Sequence, residues 1–237
     1  MERAGVRRVE SSMPRTLDVV NLLPEGRVSW DAAFALQKEA EARVKAGRHE
    51  TLFVLEHTDV ITAGRNADLG EMLVTEDFLL QRGVQLRTAD RGGKLTFHGP
   101  GQLVAYPVLD LAHGRRDVRR YVCDLEETLI RTARDFGVTA ARSPVPERKA
   151  SIWVGNDKLA AIGVHLSRWV TTHGCAVNVT TDLAGFSLIV PCGIADGGVT
   201  SLSREIPNKS PPALPEVAEC FVSHFLKVFG REKGETP

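Results

Sequence analysis

Apolar positions along this chain switch between three-to-four-residue spacing and short contiguous or alternating runs, the pattern of helices interleaved with strands. Trp30 to Ala46 reads as a helix, with Ser29 placed to cap it, Asp31 in its first turn and Gly47 just past its end. Two strands are expected next, Thr51 to Leu55 and Val60 to Thr62, and the polar Glu56-His57-Thr58-Asp59 between them suits a turn. A short helix near Glu76 to Gln81 should stop at Gly83. Val118, Val122, Leu125, Leu129, Ala133 and Phe136 form the apolar stripe of a helix running from about Asp117 to Gly137. Ala150 to Val154 and Lys158 to Leu166 flank Gly155-Asn156-Asp157, a group that tolerates positive φ and so favours a hairpin. Val170 to Val179 adds a strand, and a last helix from about Pro215 presents Val217, Phe221, Phe225 and Val228 before Gly230 ends it. With 210–215 as the linker to that helix and no internal repeat, the class is α/β (α+β) rather than all-helical or all-β.

Composition narrows the picture. A chain of 237 residues with 43% hydrophobic content can bury one sizeable core, so a single domain is expected over 17–237. Residues 1–16 carry Arg3, Arg7, Arg8 and Arg15 without an apolar run, which reads as a solvated tail and not as a secretory signal. Thirty basic residues balance thirty acidic ones, and no motif interleaves aromatic with basic residues, so neither a nucleic-acid groove nor an anionic membrane surface is expected. No apolar run is long enough to span a bilayer. The four cysteines, Cys123, Cys175, Cys192 and Cys220, stand far apart, which favours reduced thiols and a cytoplasmic setting. No compact Cys or His cluster has ligand spacing, so no metal is expected.

The segment with chemical promise is Arg91-Gly92-Gly93-Lys94-Leu95-Thr96-Phe97-His98-Gly99-Pro100-Gly101-Gln102. Its glycines allow backbone to approach a ligand closely, although two tight turns between strands would also explain them. It lacks the Gly-Lys-Ser or Gly-Lys-Thr ending of a phosphate-cradling loop. Followed by Tyr106-Pro107, it resembles the signature of the lipoyl (octanoyl) transferases. Further similarity lies in Glu56-His57 with Val60-Ile61-Thr62 and Gly64-Arg65, in Lys158-Leu159-Ala160-Ala161-Ile162-Gly163, in His173-Gly174-x-Ala176-x-Asn178, and in Pro191-Cys192-Gly193. That resemblance implies a mixed sheet with packed helices, like the catalytic domain of biotin and lipoate protein ligases. It also implies transfer of an octanoyl group from acyl carrier protein to a lysine of lipoyl domains, either those of 2-oxoacid dehydrogenase complexes or the glycine cleavage H protein.

By the same resemblance Cys192 is the acyl-accepting nucleophile. Its neighbours add a physical argument, because Pro191 restricts φ and Gly193 relaxes the next step, favouring an exposed thiol on a sharp turn. A buried structural cysteine is the competing reading. Lys158 is the implied partner. An ordinary thiol, with pKa near about 8.5, is only slightly ionised at neutral pH, and a nearby ammonium raises the thiolate fraction. A Lys158 turned neutral could also take the proton that the acceptor lysine must lose. The substrate pocket is expected from Arg91, Gly92, Gly93, Lys94, Leu95, Thr96, Phe97 and His98, from Ala161, Ile162 and Gly163, and from Gly174, Cys175 and Ala176. His98 and His173 are given binding and not base roles, Cys175 a packing role, and the small Gly163, Gly174 and Ala176 are read as leaving room for an acyl chain. Burying about six methylenes supplies on the order of 5 kcal/mol, enough to prefer a medium chain over acetyl. The donor is already activated as a thioester, so neither ATP nor any other cofactor is required. Arg65, Arg91 and Arg142 are the local cations considered for an acidic carrier. Three rivals stay open: an ATP-dependent lipoate ligase, an acyl thioesterase, and a non-catalytic acyl-binding relative.

Overall fold

The computed structural model describes residues 15–113, 116–143, 145, 150–190, 197–206 and 210–234. Cys192, with Pro191 and Gly193, lies outside the described residues, as does the tail up to residue 14. In chain order the elements are β1 (Arg15–Asn21), α1 (Trp30–Lys45), β2 (Glu50–Leu55), β3 (Val60–Ala63), α2 (Glu76–Gln81), β4 (Gln85–Thr88), β5 (Leu95–His98) and β6 (Gln102–Val108). They continue with α3 (Val118–Asp135), β7 (Ala141–Arg142), β8 (Ser151–Val154), β9 (Asp157–Ser167), β10 (Val170–Asn178), β11 (Gly198–Val199), α4 (Leu202–Glu205), α5 (Leu214–Phe229) and β12 (Arg231–Lys233).

Nine strands make one mixed sheet in the order β12-β1-β2-β6-β10-β9-β8-β7, with β11 parallel to β9. β1 runs parallel to both β2 and β12, while the pairs from β2 through β6, β10, β9, β8 and β7 are antiparallel. The period of two along a strand sorts its side chains between layers. Leu52 and Val54 pack with Leu125 and Leu129 of α3 and Phe221 and Phe225 of α5, whereas Phe53 and Leu55 join Ala33, Ala40 and Val44 of α1. Every residue of β2 and β6 is buried, as a central strand covered on both faces requires. A second sheet, β4-β3-β5, has its own small core of Ile61, Leu79, Leu95, Phe97, Phe186 and Leu188.

Local signals account for the helix ends. The Ser29 side chain accepts from Ala32 N at 3.2 Å, Thr75 and Asp117 cap α2 and α3 in the same manner, and Gly230 closes α5 in the left-handed region at φ 59°. Three expectations need correction. Residues 56–59 do not turn β2 back on β3, because the two strands belong to different sheets. The tail ends sooner than expected: β1 begins at Arg15, whose guanidinium pairs with Glu50 and donates to the Asp110 carbonyl at 2.9 Å. Val118 is 38% exposed and therefore not part of the buried stripe of α3. Within the glycine-rich segment, residues 99–101 make the turn that joins β5 to β6.

Pro107 sits in a central strand, where its missing N–H should break the ladder. The break is accommodated locally. Pairing of β6 with β10 stops at Ala105–Cys175, and the Thr171 hydroxyl takes over by donating to the Pro107 carbonyl at 2.7 Å and accepting from Leu109 N at 2.9 Å. His173, beside this break, has φ 57°.

Candidate active site

A cavity of about 420 Å³ opens between the segment leading into β5 and the strands β9 and β10. Trp30 at the start of α1 and Val122 on α3, elements on opposite faces of the main sheet, both reach it. The glycine-rich segment is bolted in place by backbone bonds on two sides. Gly64 N donates to the Lys94 carbonyl, Arg65 N to Arg91, Asn66 N to Gly93, and Gly92 N to Val164 of β9. Arg91 is buried and donates to the Thr62 carbonyl and hydroxyl at 2.8 and 2.7 Å, so its charge braces the wall. Lys94 pairs with Glu71.

Of the residues expected at the pocket, Arg91, Gly92, Gly93, Lys94, Leu95, Thr96, His98, Ala161, Ile162, Gly163, Gly174, Cys175 and Ala176 line this cavity, together with Lys158. Phe97 does not. It makes an edge-to-face contact with Phe186 at 5.6 Å in the small-sheet core, on the same face of β5 as Leu95. Gly163 and Gly174 line the cavity and are also closely packed against neighbouring segments. A Cβ on Gly174 would stand 2.1 Å from the Ala105 carbonyl oxygen, and one on Gly163 would stand 2.9 Å from the Arg91 side chain. Close approach of β6 and of the Arg91 segment leaves no room for a side chain at either position.

Lys158 owes its direction to a β-bulge. The register of β8 against β9 slips between Ile152 and Trp153, so Leu159 and Ala160 both enter the main core while Lys158 and Ala161 both line the cavity. Without the extra residue, positions 158 and 161 would face opposite sides. The lysine is buried, with its Nζ 5.2 Å from the centre of the Trp153 ring. On the other flank of β9, Val199 of β11, seven residues past Cys192 in the sequence, pairs with Lys158. Val190, two residues before Cys192, donates its N–H to the Glu71 carbonyl at 2.8 Å.

Three histidines stand at or behind the cavity, and burial holds all of them below the ordinary range. His57 is pushed down to about 4 and His98 to about 3, in each case chiefly by burial. Partner chemistry fixes the tautomer of His57. Val28 O can only accept, so Nδ1–H donates to it at 2.8 Å, and Nε2 accepts from the Tyr106 hydroxyl at 2.8 Å. His98 Nδ1 lies 2.7 Å from the Gln102 side-chain oxygen, Gln102 donates to Asn178, and Asn178 donates to the Thr200 carbonyl. His173 Nε2 meets Asp90 at 2.6 Å, and Gln37 accepts from its backbone N–H. Burial outweighs the Asp90 attraction, and His173 stays lowered. For Asp90 burial works upward, but the His173 hydrogen bond, with His165 and Lys38 nearby, leaves it below the usual carboxylate range. Cys175 is buried at the cavity wall with its thiol pushed up to about 12, which makes it a poor nucleophile.

Sequence reasoning missed Trp30, Ser151 and Val164 in the wall, and it named Tyr106 only as part of a motif. Trp30 carries no signal beyond its place at a helix start, and Tyr106 none beyond its motif, since Pro107 hides the strand that holds it. Among the cations considered for an acidic carrier, Arg91 is buried and Arg142 is bound to Glu126 and Glu127, while Arg65 is exposed and contacts His165. Arg91, Lys94 and Lys158 are the wall cations able to meet an anion or a polarised carbonyl.

Residues 30–226 match the family described as lipoyl protein ligase A/B catalytic domain. An octanoyltransferase of Solibacter usitatus is 46% identical over 208 residues, covering 87% of this chain and 91% of that one. One from Acidobacterium capsulatum is 43% identical over 228 residues, covering 90% and 92%. Among solved structures, the bipartite lipoate protein ligase of Thermoplasma acidophilum, described with its E2 lipoyl domain, superposes with a TM-score of 0.70 at 16% identity, covering 94% of this chain and 86% of that one. That likeness, at such low identity, speaks to fold alone. The chain is therefore an acyltransferase belonging to the octanoyltransferases, within the lipoyl protein ligase A/B catalytic domain family.

Proposed function

We propose that this protein moves an octanoyl group from acyl carrier protein to a lysine of a lipoyl domain in lipoate biosynthesis, with Cys192 as covalent relay and Lys158 as its partner. The observation that carries the reading is that the glycine-rich segment from Arg91 to His98 and the bulge-directed Lys158 line one cavity, with Val199, seven residues past Cys192, paired to that lysine. A cavity of about 420 Å³ falls within the usual range for a small-molecule site. Its glycines and its Ala161, Ile162 and Ala176 supply apolar wall for a hydrocarbon chain.

In the first step the Cys192 thiolate attacks the carbonyl carbon of the donor thioester. A new carbon–sulfur bond forms, the old one breaks, and the carrier thiolate leaves with the electron pair. In the second step the acceptor lysine amine attacks the enzyme thioester, an amide forms, and the Cys192 thiolate departs. As an ammonium Lys158 stabilises the Cys192 thiolate and gives a proton to the departing carrier thiolate; then neutral, it takes the proton shed by the attacking amine. Lipoyl domains as acceptors are supported by membership of the octanoyltransferases and by the pairing of the Thermoplasma ligase with an E2 lipoyl domain.

Intact-mass analysis after mixing with octanoyl carrier protein tests the relay. The expected result is one octanoyl adduct that maps to Cys192, is absent in Cys192→Ala, and discharges when a lipoyl domain is added. Modification of the lipoyl domain by Cys192→Ala at the normal rate would overturn it. Use of free octanoate with ATP would point to a ligase instead, and release of free octanoate without an acceptor to a thioesterase.

A further inference from the structure

Sequence spacing conceals a cluster that the fold assembles away from the cavity. Asp135 is the last residue of α3, while Cys220 and His224 are four apart on α5 and so share one face of that helix. The three donor atoms all lie within 4.8 Å of one another, the sole such group among the described residues. Cys220 Sγ is 3.6 Å and His224 Nε2 is 2.7 Å from the same Asp135 oxygen. None of the three lines the acyl cavity.

We propose that Asp135, Cys220 and His224 form a site for a zinc-class divalent cation that clamps the end of α3 to α5. Thiolate, imidazole and carboxylate are together the donor set such borderline cations take, and they arrive from two helices already packed on each other. Bonds of about 2.0–2.3 Å in a tetrahedral centre hold the donors roughly 3.3–3.7 Å apart. The sulfur–oxygen distance therefore fits as it stands, and the His224–Asp135 hydrogen bond has to open by about half an ångström. Asp135 is exposed, which leaves a way in for the ion and room for water as the fourth ligand.

Charge closes as well: a dication meets one thiolate and one carboxylate. Binding takes the thiolate form of Cys220 and so releases a proton. Glu216 and Lys227 on α5 and Arg134 on α3 are the other charged groups near the cluster. The second imidazole nitrogen of His224 is buried without a hydrogen-bond partner, so the ring lacks the support that strengthens metal-bound histidines.

The test is titration of the full-length reduced protein with cobalt(II), whose thiolate charge-transfer and visible ligand-field bands report a tetrahedral sulfur site. One equivalent per chain is expected, displaced by zinc, retained in Cys192→Ala and Cys123→Ser, and lost in Cys220→Ser and His224→Gln. Zinc should raise the unfolding midpoint of the parent protein and leave that of Cys220→Ser unmoved. Bands that survive Cys220→Ser, bands that vanish in Cys192→Ala, or no bands at all would overturn the proposal and leave a plain His224–Asp135 ion pair.

Discussion

Single side chains set the chemistry here, and several can be weighed alone. Replacing Lys158 with methionine keeps the buried stem and deletes the charge, so Cys192 should acylate roughly 100-fold more slowly while the unfolding midpoint holds. Single-turnover mass spectrometry measures the first and calorimetry the second. Tyr106→Phe removes the donor to buried His57 Nε2 and should cost about 1–3 kcal/mol in urea unfolding, with the cavity volume nearly unchanged. Gly174→Ala places a methyl against the Ala105 carbonyl oxygen, and a loss of roughly 1–3 kcal/mol is expected in the same measurement. Cys175 illustrates a role legible in the sequence: its apolar surroundings announced packing, its motif placed it at the pocket, and the fold has it both in the core and at the cavity wall.

Elements were readable where a rule acts over a few residues. Helices α1, α2, α3 and α5 begin and end within a residue or two of their expected bounds, because caps and glycine stops are local. The β8–β9 hairpin was legible for the same reason, through Gly155-Asn156. Strands β4, β5, β6 and β12 were not. Pro107 argues against a strand unless the Thr171 hydroxyl is known to bridge the gap, and Thr171 lies far along the chain. The bulge that aims Lys158 is invisible too, since it exists only in the register between two strands. Gly230→Ala offers an element-scale test: a side chain in the left-handed cap of α5 should lower stability by about 1 kcal/mol, read by chemical denaturation.

Across the whole molecule, the buried neutral histidines shape the response to acid. His57 and His98 are lowered in the folded state, so the unfolded chain binds more protons once pH drops below about 6.5. The stabilisation is fully present above that point and is lost as pH falls toward the folded values. Each should cost roughly 2 kcal/mol by pH 5. Urea midpoints measured at pH 7 and 5 should therefore separate clearly, and equal midpoints would contradict neutral burial. The pairing of β1 with β12 has another consequence at this scale. On a translating ribosome, the outer flank of Arg15–Asn21 stays an open edge until residues 231–233 have been made, so this border of the sheet is finished last. Pairing between two nascent copies along that edge is the hazard of the interval, and holding the strand back is work for a chaperone.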